Sequence, residues 1–314
     1  MAQVTISRGE TLIRKPRLKP RQRDTIAGYL FCAPWLLHFA LLIAGAMIFS
    51  FGISLTETDL LTGWKFIGFK NYVDLSKDPF FWKSLQVTAY YTFLVVPLGV
   101  VVALVIALIL NQKVIGVGFW RLVYYLPSVV SGVAVAVLWT WVLNPRFGLL
   151  NQGLMALGVQ NPPRWIYSEE WAVPGLILMG VWGAGGAMLL YLAGLQGIPT
   201  PLYEAADIDG ANGWDKFWHV TLPMLTPTIF FNVLMSIIGS FQVFTQVYVM
   251  TFDGSPNNAT LTMVLYLYRR GFINLRFGYA SALAWILFFI ILIFTMMVVR
   301  SSESWVYYEG ELRK

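Results

Sequence analysis

Six apolar stretches constrain the fold of this chain more than any other feature. About 20 apolar residues in a helix cross the ~30 Å hydrocarbon core of a bilayer. The six stretches contain no Asp, Glu, Lys or Arg, and they run from Ile26 to Leu55, Val87 to Leu110, Leu122 to Leu143, Trp171 to Leu195, Leu225 to Phe252 and Tyr279 to Val299. The sequence therefore predicts an all-α polytopic membrane protein with six transmembrane helices. The first stretch is too long to cross upright, so it tilts, kinks near Pro34 or begins in the interface.

The composition agrees with a membrane protein. Only 12% of the 314 residues are charged and 57% are hydrophobic, whereas about a quarter of a soluble domain is charged. The single cysteine, Cys32, lies in the first apolar stretch and excludes an internal disulfide.

The charge pattern predicts the orientation. Seven Lys and Arg residues fall within the first 23 positions, and cationic segments stay in the cytoplasm. A nucleic-acid-binding tail or a signal peptide would also be basic. The first apolar stretch is too long for a signal sequence, and no cleavage site follows it closely. We expect a cytoplasmic tail (1–24), a membrane domain (25–300) and a cytoplasmic C-terminal tail (301–314), with 13 cations inside and nine outside.

The segment 261–273, LTMVLYLYRRGFI, is apolar but too short to span a bilayer. We expect an interfacial or re-entrant piece on the outer side, kept out of the hydrocarbon by Arg269 and Arg270.

Several chemistries lack their sequence motifs. The chain has no GxxxxGK[ST] phosphate loop, no HExxH zinc motif and no GxSxG nucleophile motif. A proton-coupled carrier usually buries ionisable groups in its spans, and these spans contain no carboxylate. We therefore expect another polypeptide to supply the energy. A self-sufficient secondary carrier that binds Na⁺ through backbone carbonyls remains the alternative, and a membrane enzyme would need a catalytic cluster that the sequence does not provide.

The densest block of charge and turn residues lies between the fourth and fifth stretches. Thr200-Pro201 is typical of a helix start, and Gly210 of a turn. Trp214 to Val220 predicts a second short helix, which Leu222-Pro223 would end. This second helix carries three aromatic residues at helical spacing: Trp214, Phe217 and Trp218. On these residues alone, a helix resting on lipid and a docking site for a soluble partner are equally open.

The same block carries a family signature. Glu204-Ala205-Ala206, Gly210, Val220 and Leu222-Pro223 resemble the EAA loop of permease subunits in binding-protein-dependent ABC importers. FIGFKNY (66–72), FWRLVYYLP (119–127) and SFQVFTQVYVMTFDGSP (240–256) resemble the sugar-importing branch, and within it the first subunits of the maltose and glycerol-3-phosphate permeases.

The resemblance implies a transport subunit without its own ATPase site, in the inner membrane of a bacterium. Its partners would be a second permease subunit, two ABC ATPases that bind ATP and magnesium, a periplasmic or lipid-anchored substrate-binding protein, and a carbohydrate. The core transmembrane domain would cover about 85–300 and the coupling loop 200–223. The residues implied in ATPase coupling are Glu204, Ala205, Ala206, Asp209, Gly210, Leu222 and Pro223.

A sugar site needs uncharged hydrogen-bonding groups and aromatic platforms. Residue chemistry and the resemblance together predict a substrate pathway formed by Trp182, Gly183, Gly186, Asn232, Ser236, Ser240, Phe241, Phe244 and Tyr248. From the residues alone, helix packing explains these side chains equally well. The glycines of GVWGAGGAM (180–188) indicate either a packing surface or a bend beside a cavity. Gly186 stands where maltose permeases have a bulky aromatic residue, which favours a different or larger ligand.

Glycerol-3-phosphate is the rival ligand. A phosphate would need cations along its path, and the spans contain none. Four arginines flank the outer ends of the spans: Arg146, Arg164, Arg269 and Arg270.

Overall fold

The computed structural model describes residues 20–59, 63–112 and 115–307, in two units that divide after Gly52. The first unit is helical: α1 (Pro20–His38), a π-helical turn (Phe39–Ala44) and the start of α2 (Gly45–Ser54). Pro34 lies inside α1, and the π-helical turn follows it closely. The predicted basic tail falls mostly outside the described residues.

The second unit begins at Ile53 and holds the remaining elements. They are β1 (Thr56–Asp59), β2 (Gly63–Phe66), α3 (Lys70–Lys77), α4 (Pro79–Leu110), α5 (Val117–Val129), α6 (Gly132–Val142), α7 (Leu149–Ala156), α8 (Ala172–Trp182), α9 (Gly185–Gly197), α10 (Thr200–Ile208), α11 (Gly213–Lys216), α12 (Leu222–Phe241), α13 (Thr245–Thr251), α14 (Met263–Tyr268) and α15 (Phe277–Trp305). π-Helical turns follow α11 (Phe217–Thr221) and α14 (Arg269–Ile273), and a 3₁₀ turn (Trp165–Tyr167) precedes α8.

Among the described residues, four helices are long and apolar enough to cross a membrane: Asp24–Ser54, Pro79–Leu110, Gly213–Phe241 and Phe277–Trp305. Two further pairs meet the same criteria only when joined across a bend, α5 with α6 at 103° and α8 with α9 at 41°. The prediction of a mostly helical membrane protein is confirmed, with four to six candidate spans.

The all-α prediction missed one antiparallel hairpin. β1 pairs with β2 so that Glu57 lies opposite Lys65, and Gly63 opens β2 with a φ of +78°. Asn71 Nδ2 donates to the backbone oxygens of Ser54 and Thr56 at 2.8 and 2.9 Å. These bonds fix the base of the hairpin to α3.

The prediction of one continuous helix over the third stretch is wrong. The helix stops at Val129, and Val130 and Ser131 are extended, with ψ of 141° and 133°. Pro127 lies in the last turn of α5. Its missing N–H and its ring weaken that turn, and the β-branched pair Val129-Val130 adds little helix propensity.

The fifth stretch also departs from the prediction. Its helix begins earlier, at Gly213, and ends at Phe241 instead of Phe252. Phe241 is 1% exposed and Val243 is 7% exposed. Residues two positions apart on a helix point to nearly opposite sides. Here Phe241 ends α12, and Val243 lies in the break before α13.

The first part of the segment 261–273 is buried against protein. Leu261, Met263 and Leu265 have no exposed surface, and α14 packs against α4 and α15. Arg269 and Arg270 form ion pairs with Asp253 and Asp78. The interfacial or re-entrant position of this segment stays a prediction.

Two apolar clusters surround α4. The larger one includes Val87 and Tyr91 of α4, and the smaller one Ala103, Ala107 and Leu110. α4 packs against α8, α9 and α12. The stretch of α4 between the clusters faces a cavity.

Candidate functional site

A cavity of about 640 Å³ lies where three helix interruptions meet. Its wall includes Ser128, Val130 and Gly132 at the α5–α6 bend, Gly180, Gly183 and Ala184 at the α8–α9 bend, and Ser240, Gln242 and Phe244 at the α12–α13 break. The fourth side is α4, from Tyr91 to Val100. Irregular backbone within a membrane is tolerated where it lines a cavity or is buried in protein. The three helix breaks line this cavity, so they lie where irregular backbone is tolerated.

The cavity wall is polar but uncharged. Within the described ranges it contains no Asp, Glu, Lys, Arg or His, and its polar side chains are Tyr91, Ser128, Ser236, Ser240, Gln242, Thr245 and Gln246. Ser128 and Ser240 donate to backbone oxygens of Tyr125 and Ile237, at 2.7 and 3.0 Å. Amides and hydroxyls both donate and accept hydrogen bonds, so this wall suits a neutral ligand rich in hydroxyl groups.

Four of the nine predicted pathway residues line this cavity: Gly183, Ser236, Ser240 and Phe244. The other five lie outside its wall: Trp182, Gly186, Asn232, Phe241 and Tyr248.

Packing accounts for three of those outside the wall. The Trp182 ring meets Trp139 edge to face at 5.8 Å. Phe241 stacks on Phe294 at 5.3 Å in the larger apolar cluster. Asn232 Nδ2 donates to the backbone oxygen of Thr228 at 2.9 Å, within its own helix.

Sequence reasoning missed the cavity residues Tyr91, Ser128, Gln242, Thr245 and Gln246. It treated 225–252 as one helix, and the break at 242–244 changes which side chains share a face. Gln242 and Gln246 within an apolar stretch were the available signal, because unpaired amides are costly in lipid.

The glycines of α8 and α9 serve both predicted purposes. A Cβ on Gly180 would lie 2.7 Å from Val95 Cγ2 and 3.0 Å from the Tyr91 hydroxyl. A Cβ on Gly185 would lie 1.9 Å from the Tyr124 backbone oxygen. Gly183 ends α8 at the bend and lines the cavity. The glycines therefore permit both the bend and the close contact of α9 with α5.

The second candidate site is the predicted coupling segment, 200–223. α10 ends in the left-handed Gly210, with φ +78°. The Ala211 amide donates to the Ala206 oxygen at 2.9 Å, and the Gly210 amide donates to the Asp207 oxygen at 3.1 Å. This is a Schellman C-cap. The cap requires a left-handed residue at position 210, and glycine adopts this conformation without strain. This requirement explains the spacing from Glu204-Ala205-Ala206 to Gly210.

The next helix begins with a capping box. Asn212 Oδ1 accepts from the amides of Trp214 and Asp215, and Asp215 Oδ2 accepts from the Asn212 amide at 3.1 Å. The helix then continues through a π-helical turn into α12. The prediction that Leu222-Pro223 ends a short helix is wrong. The wide π-helical turn lies directly before Pro223, where a regular turn would clash with its ring.

Two contacts hold α10 against this continuation. Lys216 forms an ion pair with Asp207, and the hydroxyls of Tyr203 and Thr221 are 3.0 Å apart. Glu204, Ala205, Asp209 and Gly210 are exposed.

Apolar side chains are exposed beside the carboxylates of this segment. Ile208 is 87% exposed and Trp214 is 69% exposed. Trp214, Phe217 and Trp218 contact one another, with ring centroids 5.3 to 5.8 Å apart. The segment 200–223 therefore presents an acidic and apolar surface, and its two helices are held together by the contacts described above.

A charged cluster joins the starts of α4 and α15 to α14. The hydroxyls of Tyr266 and Tyr279 donate to Asp78 Oδ2, the latter at 2.5 Å, and Arg270 Nη2 donates to it at 3.2 Å. Burial alone would raise the pKa of Asp78, but these two hydroxyls, the Phe80 amide and the Arg270 charge outweigh it and hold the pKa below its ordinary value. Asp78 therefore remains ionised at neutral pH.

Comparison with known proteins identifies the family. Residues 95–303 match the family described as "Binding-protein-dependent transport system inner membrane component". The probable ABC transporter permease protein YesP of Bacillus subtilis is 39% identical over 293 residues, which are 92% of this chain and 94% of that protein. The arabinooligosaccharides transport system permease protein AraP of the same organism is 34% identical over 289 residues, 91% of this chain and 90% of AraP.

A solved structure agrees with these relatives. One chain of a bacterial alginate ABC transporter, crystallised in complex with its alginate pentasaccharide-bound periplasmic protein, aligns with a TM-score of 0.77 and 25% identity, over 90% of this chain and 95% of that one. The resemblance seen in the EAA loop is confirmed. The chain belongs to the binding-protein-dependent transport system inner membrane components, the permease subunits of ABC transporters.

Proposed function

We propose that this permease subunit moves a neutral carbohydrate through the cavity enclosed by α4, α5–α6, α8–α9 and α12–α13. The uncharged polar wall carries this proposal. Ser236, Gln242, Thr245 and Gln246 line the cavity, and their side chains form no hydrogen bond within the part of the chain that the structure describes. These amides and hydroxyls are therefore free to donate and accept hydrogen bonds with a ligand in the cavity. Hydroxyl groups of a sugar would pair with them, and Phe244 offers an apolar ring for its C–H face.

The relatives support a carbohydrate and leave its identity open. AraP is named for arabinooligosaccharides, and the alginate transporter for an acidic polysaccharide. An acidic ligand would favour cationic groups in the wall, and the described cavity wall has none. We therefore assign a neutral saccharide to this chain.

The same chemistry disfavours glycerol-3-phosphate. Of the four arginines that kept this ligand open, Arg269 pairs with Asp253 and Arg270 with Asp78. Arg146 and Arg164 do not line the cavity. A phosphate in the cavity would therefore be buried without a cation from this chain.

The segment 200–223 is the proposed docking site for an ATPase subunit. Its exposed acidic and apolar surface suits a partner groove with a basic residue facing Glu204, and its caps and the Lys216–Asp207 pair make it rigid. A rigid segment transmits the movement of a bound partner to the membrane helices attached to it. Closure of two ATPases would draw the docking segments of the two permease subunits together and reorient the spans around the cavity.

The proposed topology has six spans, counting each bent helix pair as one. Both termini and the segment 200–223 face the cytoplasm, and the loops at 56–86, 144–170 and 253–278 face outside. The domain limits remain 1–24, 25–300 and 301–314, with the core permease domain at about 85–300. The proposed partners are a second permease subunit, two ATPases that bind ATP and magnesium, and an external substrate-binding protein.

Affinity purification followed by reconstitution tests this proposal. A tagged chain isolated in mild detergent should bring a second permease and a phosphate-loop ATPase with it, identified by mass spectrometry. In vesicles, the complex with its binding protein should take up neutral saccharides only when ATP is present on the ATPase side. Uptake by this chain alone, without ATPases, would instead establish a secondary carrier. An assembled complex that hydrolyses ATP but carries no saccharide would refute the carbohydrate assignment.

A further inference from the structure

Five aromatic side chains form a continuous ladder that begins at the cavity, along α13 and its two flanking residues and along the end of α14 and the π-helical turn that follows it. The ladder consists of Phe244, Tyr248, Phe252, Tyr268 and Phe272. Along the first helix, Phe244 stacks on Tyr248 at 5.4 Å and Tyr248 on Phe252 at 6.2 Å. Along the second, Tyr268 stacks on Phe272 at 5.5 Å. Tyr268 joins the two rows through Phe244 at 5.1 Å and Tyr248 at 5.5 Å.

The ladder changes from half-buried to exposed along its length. Phe244 lines the cavity, and Tyr248 and Tyr268 are half-buried. At the far end Phe252 is 79% exposed and Phe272 is 62% exposed. The rings thus connect the cavity with the surface at 252–272, which faces outside in the proposed topology.

Polar groups surround the exposed end of the ladder. Asp253, Ser255, Asn257 and Asn274 are exposed beside Phe252 and Phe272 in the chain. A surface that faced hydrocarbon would carry these side chains only at a high cost. Aromatic rings bordered by amides, hydroxyls and a carboxylate instead match a saccharide, which has apolar C–H faces and a polar edge.

The exposed end is held in a fixed position. Arg269 Nε donates to Asp253 Oδ1 at 2.8 Å, and its Nη1 donates to Asn258 Oδ1 at 2.9 Å. Thr260 Oγ1 donates to Thr251 Oγ1 at 2.7 Å. These bonds tie the loop after α13 to α14, so the two rows of rings are positioned before any ligand arrives. Preorganised contacts bind with a smaller loss of entropy.

We propose that the aromatic ladder is an entry track for an oligosaccharide, in which successive sugar units pack their C–H faces against the accessible edges of the rings before the leading unit enters the cavity. This inference rests on the proposed function and adds a substrate class to it. A chain of several sugars contacts several ladder rings at once, whereas a single sugar contacts only one or two. The ladder therefore selects oligosaccharides over monosaccharides.

The test replaces the two exposed rings and varies the saccharide length. The complete transporter, reconstituted in vesicles with its binding protein, receives neutral gluco- and arabino-saccharides of one to five units, and their ATP-driven uptake is measured. In the double variant Phe252→Leu, Phe272→Leu, we expect the ratio of pentasaccharide to monosaccharide uptake to fall roughly tenfold, the size expected for losing two ring contacts. Monosaccharide uptake should stay near its original rate.

A matched control removes two exposed rings elsewhere. Phe288 and Phe289 on α15 are 40% and 49% exposed, and the variant Phe288→Leu, Phe289→Leu should keep the original ratio. The entry track is refuted if the ladder variant carries all lengths at the original ratio. Loss of the second permease from the purified ladder variant would identify the ladder as a subunit contact instead. If the unmodified transporter carries none of the saccharides, the proposed function itself fails, which the variants cannot mimic.

Discussion

Glu204→Lys is expected to abolish ATP-driven uptake and the stimulation of ATP hydrolysis by the loaded binding protein. Glu204 is exposed on α10, one helical turn from the Schellman cap that fixes the end of that helix. The substitution places a cation against the basic residue proposed in the ATPase groove. Like charges brought together at an interface cost several kcal/mol, which corresponds to a loss of roughly a hundredfold or more.

The control for this prediction is Glu303→Lys. Glu303 is an exposed carboxylate on α15 and lies outside the segment 200–223, so its replacement should leave uptake and hydrolysis near their original rates. The folded state of both variants is checked by their melting temperatures in detergent. Intact uptake and intact stimulation in Glu204→Lys would contradict the proposed coupling role.

Gly185→Ala is expected to destabilise the folded protein strongly. The added Cβ would lie 1.9 Å from the Tyr124 oxygen, 2.8 Å from its carbon and 3.1 Å from Tyr125 Cα. All three are backbone atoms, so no side-chain rotation relieves the contact. Overpacking typically costs about 1–3 kcal/mol and sometimes more. We expect a cost at or above the upper end, seen as a drop in melting temperature on the order of 5 °C or more.

Gly186→Ala is the matched control. Its Cβ would meet Ser128 Cβ at 3.7 Å, an ordinary van der Waals distance. The melting temperature of that variant should stay close to the original value. Equal stability of the two variants would show that α9 does not approach α5 as closely as the structure indicates.

Much of the architecture could be predicted from the sequence. The apolar stretches predicted the long helices because their length and lack of charge leave few alternatives in a membrane. The end of α10 was predictable as well, since Gly210 provides the left-handed residue that a Schellman cap requires. Four cavity residues were also named: Ser236, Ser240 and Phe244 from their hydroxyl groups and ring together with the family resemblance, and Gly183 from the resemblance.

The interruptions of the helices could not be predicted in the same way. Both segments beside Val130-Ser131 are apolar, so hydropathy does not reveal the 103° bend between them. Pro127 was the available signal. The break after Phe241 lies inside an apolar stretch, and Phe241 at its start and Val243 within it are both buried. Both errors changed which side chains were expected to share a helix face. The cavity residues Gln242 and Gln246 were missed as a result. Pro223 led to the opposite error. A helix end was predicted at Leu222-Pro223, but a π-helical turn accommodates the proline and the helix continues into α12.

Thiol accessibility tests whether the cavity is the translocation pathway. The lone native thiol is removed by Cys32→Ser, and Ser236→Cys then places a thiol in the cavity wall. Met235→Cys serves as the control, because Met235 is half-exposed on the same helix but does not line the cavity. Reconstituted complexes are treated with a membrane-impermeant maleimide from one side at a time. We expect the thiol introduced by Ser236→Cys to react from the ATPase side without nucleotide and from the opposite side when ATP is trapped, since closure of the ATPases closes the cavity on their side. Reactivity that is the same from both sides in both states, or that matches the 235 control, would contradict a translocation pathway through this cavity.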